Sequence, residues 1–362
     1  MKHLPQIFSA IFLVFILSYC SDDDMVTPVE LTEDSTIVAY LASVENHSFE
    51  VDENGIYSYP IELSSGGTNA AGNVLAIYYS VSLLDGTIID EYDEDDGDPI
   101  LMRQGVNAIY PVGLDLALPN MNEGDTYGFV IPSALAYDTV SFASIPTGSI
   151  VEFEVELVEV NSEEGTYTQR DQEIADYIEI LDDVVKAERQ AIIDDIRNTY
   201  PDTLSSTDSV AFQFSLDSLD LIPLDTFNII GSEQDIYYKV LEGEDLTTGS
   251  PGTGQLIGIN YEGRFVGTDT IYFDQRYNNT AFEYDFNSNF VIPGLDIGVA
   301  EMQFGQTSAI VVPPDLAYRE SAVVVPAFLA ETAVESNIVP DYILRVGPYE
   351  SLIFEVTLRN AN

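Results

Sequence analysis

The 362-residue chain has no tryptophan, one cysteine, two histidines and only 12 lysines and arginines. With Cys20 as its only thiol, the chain can form no intramolecular disulfide. His3 sits at the extreme N-terminus and His47 stands alone, so neither a histidine zinc site nor a Ser-His-Asp arrangement can be assembled. The 12 basic residues face 62 Asp and Glu, a formal net charge of -50. Such a surface repels phosphate backbones and argues against DNA or RNA as a partner. No phosphate-cradling loop is present either. The one candidate, GSPGTG at 249–254, lacks a lysine and precedes a strand pattern. The acidic run Asp90 to Asp98 has its glycine misplaced for a calcium loop and no bidentate glutamate, so it reads as a solvated turn. No metal or cofactor is expected.

What the chain does contain is hydrophobic and aromatic: 46% of residues are hydrophobic, with 22 Tyr and 18 Phe. That is enough to bury real cores, and the length favours two domains over one. At the N-terminus Lys2 precedes an apolar run from Ile7 to Leu17, which ends at LSYC. The run is shorter than the roughly 20 residues a membrane span needs and reads as a signal peptide. LSYC resembles the lipobox of bacterial lipoproteins, which implies a lipidated Cys20, although Tyr19 stands where a small residue is usual. The following SDDD resembles an acidic export tag of Gram-negative lipoproteins; a solvated linker is the alternative.

Internal repetition dominates the remainder. YPVGLDLALPNM (110–121) and VIPGLDIGVAEM (291–302) share one spacing of Gly, Leu, Asp and Met. Ile37, Tyr40, Leu41 and Val44 recur as Ile174, Tyr177, Ile178 and Leu181, both with the i, i+3, i+4, i+7 spacing of an amphipathic helix. GIYSYPIE from Gly55 matches DIYYKVLE from Asp235, alternating as half-buried strands do. VIPSALAY and VVPPDLAY then lead towards two closing strands, SIVEFEVELVEV and SLIFEVTLRN. Each copy therefore reads as a helix, several antiparallel strands, a short helix at the Gly-Leu-Asp phrase, a loop and a last strand, an α+β plan.

These ordered motifs resemble the FKBP-type peptidyl-prolyl cis-trans isomerases, over most of residues 55 to 160 and 233 to 360. The resemblance implies two domains, each a twisted antiparallel sheet wrapped around a short helix. The expected organisation is a signal peptide over 1–19, an acidic tether with a short helix over 20–48, a first domain over 49–162, a helical linker with an extended segment over 163–230, and a second domain over 231–362. The linker helix is read from Gln172 to Arg197, ending before Pro201, with its own domain as the default packing partner.

The resemblance also implies an apolar pocket for a Xaa-Pro bond. In the second copy the matching residues are Tyr261, Phe273, Asp274, Phe282, Val291, Ile292, Leu295, Tyr318, Val346 and Phe354. Leu295 takes the floor position where the family usually has tryptophan, Tyr318 offers a hydroxyl, and Ile292 a backbone N–H. In the first copy the matches are Tyr79, Ile89, Asp90, Ile100, Leu114, Tyr137, Ile145 and Phe153. Ile89 replaces an aromatic wall, and Pro111, opposite Ile292 in alignment, has no N–H to donate, so the first copy is the weaker candidate. The second copy carries a long insert at 319–345, which reads either as a lid or docking surface or as a self-packed element. Two functions remain open. One is a lipid-anchored isomerase that helps exported or outer-membrane proteins fold. The other is a non-catalytic adaptor or holdase in an envelope secretion or assembly complex.

Overall fold

The computed structural model describes residues 33–361 apart from 45–47, 139–141, 143–144, 200–226, 231–234, 269–271 and 278–280. Cys20, the expected leader and most of the extended segment expected after Pro201 lie outside the described residues.

Strands form where apolar and polar residues alternate, because successive side chains point to opposite faces of a sheet. The first unit contains β1 (Glu50–Val51), β2 (Tyr57–Glu62), β3 (Val74–Leu83), β4 (Ile88–Tyr92), β5 (Ile100–Arg103), β6 (Ile109–Tyr110), β7 (Thr126–Ile131) and β8 (Val151–Asn161). In β8, Val151, Phe153, Val155 and Leu157 are buried while Glu154 and Glu156 face outward. The second unit contains β9 (Asn228–Ile230), β10 (Ile236–Glu242), β11 (Leu256–Phe265), β12 (Tyr272–Arg276), β13 (Phe282–Asp285), β14 (Thr307–Val312), β15 (Val323–Val324) and β16 (Leu352–Asn360).

The two large sheets share one topology. The first runs β1-β2-β7-β8-β3-β4 with β5 also on β3; the second runs β9-β10-β14-β16-β11-β12 with β13 on β11. Their large-sheet pairings are antiparallel, and the chain is two α+β units of one design.

The duplicated Gly-Leu-Asp phrase forms the short helices Val112–Ala117 and Pro293–Glu301. A Cβ on Gly113 would lie 2.4 Å from Ile131 Cγ2, and one on Gly294 would lie 2.2 Å from Val312 Cγ1. Only glycine lets each helix approach its strand that closely. The leucines, Leu114 and Leu295, are buried in the two cores. The aspartates tie each helix to the chain before it. Asp115 accepts the Gly105 N–H at 2.7 Å and Asp296 accepts the Tyr284 hydroxyl at 3.1 Å. The phrase is written twice because the same joint is built twice.

A leading helix also recurs. In Glu33–Leu41, Ile37 and Leu41 pack on Val130 of β7. In the long helix Glu163–Thr199, Ile174 and Ile178 pack on Val311 of β14, the corresponding strand. This helix begins nine residues earlier than the periodicity from Gln172 implies. Ser162 Oγ accepts the Gly165 N–H at 2.9 Å, and Glu163 and Glu164 occupy the first turn. Both features stabilise a helix N-terminus.

The insert leaves the second unit after Tyr318 and packs into the first. β15 pairs in parallel with β6, Val323 beside Ile109 and Val324 beside Tyr110. Val325, Leu329 and Ala333 are buried in the first unit's core cluster. The Tyr110-Pro111 and Val325-Pro326 peptide bonds are cis. Among the described residues, no helix is long and apolar enough to cross a membrane.

Candidate functional site: one open hollow and one occupied hollow

In the second unit a cavity of about 400 Å³ opens between β11, β12, β13 and the helix Pro293–Glu301. Nine of the ten residues expected there line it: Tyr261, Phe273, Asp274, Phe282, Val291, Ile292, Leu295, Tyr318 and Phe354. The tenth, Val346, is 1% exposed in the core just behind the rim residue Arg345. The sheet register sets the walls. Gly263 lies opposite Phe354 on the neighbouring strand, and a Cβ on Gly263 would stand 2.6 Å from Phe273 Cζ. The missing side chain is what lets Phe273 lie over the strand and meet Phe354 edge-on, ring centroids 5.6 Å apart at 90°. Tyr261 packs edge-on against Phe282 and Phe354, both at 6.3 Å. Such edge-to-face geometry suits aromatic quadrupoles.

The floor is Leu295, 5% exposed, at the start of the helix that Ile292 caps. The rim is polar. The Tyr261 hydroxyl donates to Asp274 Oδ2 at 2.7 Å, and Arg345 reaches the same oxygen at 3.9 Å. Burial, then the hydrogen bond to Asp274, hold the Tyr261 phenol well above its ordinary range, so it stays protonated. Burial likewise raises Tyr318, partly offset by Arg345. The Tyr318 hydroxyl has no hydrogen-bond partner among the described residues, and its ring lies tilted against Tyr342, centroids 5.0 Å apart at 37°. The LAY turn that delivers it is shared with the first unit: Ala136 and Ala317 adopt nearly the same backbone angles, φ -94 ψ -114 and φ -111 ψ -117.

Ile259, Arg276, Phe290 and Arg345 also line the cavity and were not anticipated. Arg276 follows the Phe-Asp motif at two residues on the same strand, a spacing that could have marked it. Arg345 closes the insert, and no local pattern points to it.

The first unit's expected residues also converge. Tyr79, Leu114, Tyr137, Ile145 and Phe153 belong to one buried cluster, with Ile89 and Ile100 packed against it. The Tyr79 hydroxyl donates to Asp90 Oδ2 at 2.5 Å, the counterpart of the Tyr261–Asp274 bond. Burial, followed by that bond, raises the Tyr79 phenol far above its ordinary range. Val81 replaces Gly263 opposite the wall phenylalanine, here Phe153. With Ile89 in place of Phe273, one aromatic wall has become two aliphatic groups. Tyr110 and Phe142, both unanticipated, meet Tyr137 edge-on at 6.0 and 5.9 Å. The remaining space holds the insert. The Tyr137 hydroxyl donates to the Val325 carbonyl at 2.7 Å, and the Val325 N–H donates to the Tyr110 carbonyl at 2.8 Å.

Neither hollow offers a chemical nucleophile or a metal cluster; no group of three potential metal ligands occurs among the described residues. The first arrangement holds a peptide carbonyl, that of Val325, and the second is an open cavity walled by aromatic rings.

Comparison with known proteins gives the family. Residues 66–158 and 248–359, together more than half of the chain, match the family described as FKBP-type peptidyl-prolyl cis-trans isomerase. FK506-binding protein 1 of Saccharomyces cerevisiae is 31% identical over 114 residues, 31% of this chain and 98% of the relative. Peptidyl-prolyl cis-trans isomerase FKBP11 of Bos taurus is 39% identical over 88 residues, 24% of this chain; the match spans only 42% of that relative's length. Among solved structures, FkpA from Escherichia coli aligns at 24% identity over 35% of this chain and 57% of its own, with a TM-score of 0.31. With two copies of the matched sequence and two sheets of one strand order, the chain belongs to the FKBP-type peptidyl-prolyl cis-trans isomerase family.

Proposed function

We propose that the chain accelerates prolyl cis-trans isomerisation in client polypeptides, that the second unit's hollow is the working site, and that the first unit contributes no turnover. The observation that supports this reading is the contrast at the paired tyrosines: Tyr318 keeps its hydroxyl uncommitted beside an open cavity, whereas Tyr137 spends its own on Val325.

Rotation about a Xaa-Pro bond is opposed by amide resonance, a barrier of roughly 18–20 kcal/mol. In the twisted state the carbonyl and nitrogen lose conjugation and the ring stands out of the amide plane. A hollow that fits this state better than the planar one lowers the barrier with no covalent step. Phe273, Phe354 and Tyr261 would hold the proline ring over Leu295. The Tyr318 hydroxyl and Ile292 N–H would steady carbonyl oxygens. Asp274, held by Tyr261 and Arg345, completes a polar edge. The apolar lining keeps water from the amide, where it would favour the planar, conjugated form.

The client class is proline-containing exported or outer-membrane protein, with the chain anchored through lipidated Cys20 to the outer membrane of a Gram-negative envelope. The leader and LSYC support this reading, and the acidic surface disfavours nucleic acid. The competing reading, an adaptor or holdase in an envelope secretion or assembly complex, draws support from the occupied first hollow and the leucine floor.

The test is refolding of a protein whose slow phase is limited by prolyl isomerisation, with the full chain added at increasing concentration. A rate that climbs with added chain is expected. Rates unchanged at every concentration would remove the isomerase and leave the adaptor. Metabolic labelling with a palmitate analogue, compared between the intact chain and Cys20→Ala, tests the anchor.

A further inference from the structure

The insert joins two hollows. It leaves from Tyr318 at the second, enters the first, and returns to the second's rim at Arg345. Within the first hollow it meets three kinds of contact. Val323 and Val325 donate their N–H groups to the Ala108 and Tyr110 carbonyls at 2.7 and 2.8 Å, so the segment adds as a strand to β6. The Tyr137 hydroxyl takes the Val325 carbonyl, the one just before Pro326. Val325 is 0% and Leu329 3% exposed, while Phe328 between them is 51% exposed. The backbone thus supplies register, the tyrosine selects a carbonyl, and the core accepts three consecutive aliphatic groups, Val323 to Val325, and then Leu329, a peptide-recognition pattern. The contacts are to main chain and to generic apolar groups. Nothing in them demands that the segment belong to the same chain.

We propose that the first unit's hollow is a peptide-binding site for segments that add to β6 through three aliphatic residues before a proline and then turn in a short 3-10 helix to bury one more aliphatic side chain, and that residues 323–329, VVVPAFL, are its resident, displaceable ligand. The tether places that ligand at a millimolar-scale effective concentration, so external segments of the same type bind only when the insert is withdrawn. Arg103 of β5 touches Glu320 at 3.7 Å and Glu163 at 2.8 Å, a partly buried ion-pair latch at the entry. The proposal stands whether or not the second hollow turns substrate over.

The experiment uses the full chain and a fluorescein-labelled peptide of residues 320–331, with Phe273→Ala throughout to weaken capture by the second hollow. Replacing 323–329 by glycine and serine is expected to raise peptide affinity at least tenfold over the unreplaced chain. Adding Tyr137→Phe to the replaced chain is expected to lower it about fivefold. A milder pair, Val324→Ser with Val325→Ser, should give an intermediate gain and serves if the replaced chain does not fold. On the otherwise native chain, millimolar free peptide should speed hydrogen exchange at the Val323 and Val325 amides. Equal affinity in replaced and unreplaced chains overturns the proposal, as does binding that is indifferent to Tyr137→Phe. If neither loosened variant binds and exchange at Val325 does not change, the hollow is a structural joint only.

Discussion

The two units share a strand order, a helix joint and a tyrosine turn, yet one hollow is open and the other is filled. The difference traces to a handful of positions. Gly263 and Phe273 in the second unit are Val81 and Ile89 in the first. A wall built from one ring over a bare backbone is deep. One built from two branched aliphatics is shallower, and in this chain it is covered by Val323–Val325. Duplication conserved the scaffold because the scaffold depends on close approach and buried polar joints. The lining was free to diverge because a filled pocket and an empty one both satisfy packing.

The sharpest way to break the comparison is to remove the open wall. Phe273→Ala should lower kcat/KM in the refolding assay by about 30- to 150-fold, the equivalent of about 2–3 kcal/mol of lost apolar contact with the twisted proline. Ile89→Ala should leave the rate within about twofold. Gly263→Val, which copies the first unit's residue into the second, should displace the Phe273 ring and approach the Phe273→Ala loss.

A charge in the filled hollow should act on stability rather than rate. Val325→Asp would leave an uncompensated carboxylate in a fully buried site and cost about 3 kcal/mol, read as a lower midpoint in urea. Activity at the second hollow should stay within about threefold. A parallel collapse of activity would mean that the insert's seat holds the second rim in place.

The paired tyrosines give a smaller contrast. Tyr318→Phe removes the donor proposed for a transient carbonyl and should lower kcat/KM about fivefold, the worth of one hydrogen bond. Tyr137→Phe leaves the Val325 carbonyl short of a buried partner and should cost about 1 kcal/mol of stability with little change in rate.

Least in size is a pH effect common to both units. Burial raises the carboxyls of Asp115 and Asp296 above the ordinary range, against opposing backbone and tyrosine hydrogen bonds. A raised value means the folded chain holds its proton longer than the unfolded chain. The stability from this source is present at low pH and lost as pH climbs from the ordinary carboxylate range through the raised values. The thermal midpoint should therefore fall as pH rises above the ordinary carboxylate range, and Asp115→Asn or Asp296→Asn should flatten the fall. An identical slope in both variants would assign the trend to general repulsion among the acidic residues.

Much of this was legible in the residues. The repeated Gly-Leu-Asp phrase marked both helix joints, since no other residue fits at Gly113 or Gly294. The alternation in the closing strands marked the sheets, and nine cavity residues were identifiable by motif. Arg345 and the Tyr110–Phe142 pair were not. Their roles come from contacts between segments that no local period connects, and an arginine or tyrosine in a loop carries no signal of what it will face.

The order of residues along the chain settled that it would fold twice in one manner, because periodicity, glycine placement and capping residues act within a few turns or strands and read the same wherever they occur. The destination of the insert was decided only by the tertiary structure. VVVPAFL is equally suited to covering its own pocket, packing on itself or entering the neighbour. The choice rested on which cavity had an unfilled apolar volume, a free β6 edge and a tyrosine hydroxyl at hydrogen-bonding distance from the right carbonyl.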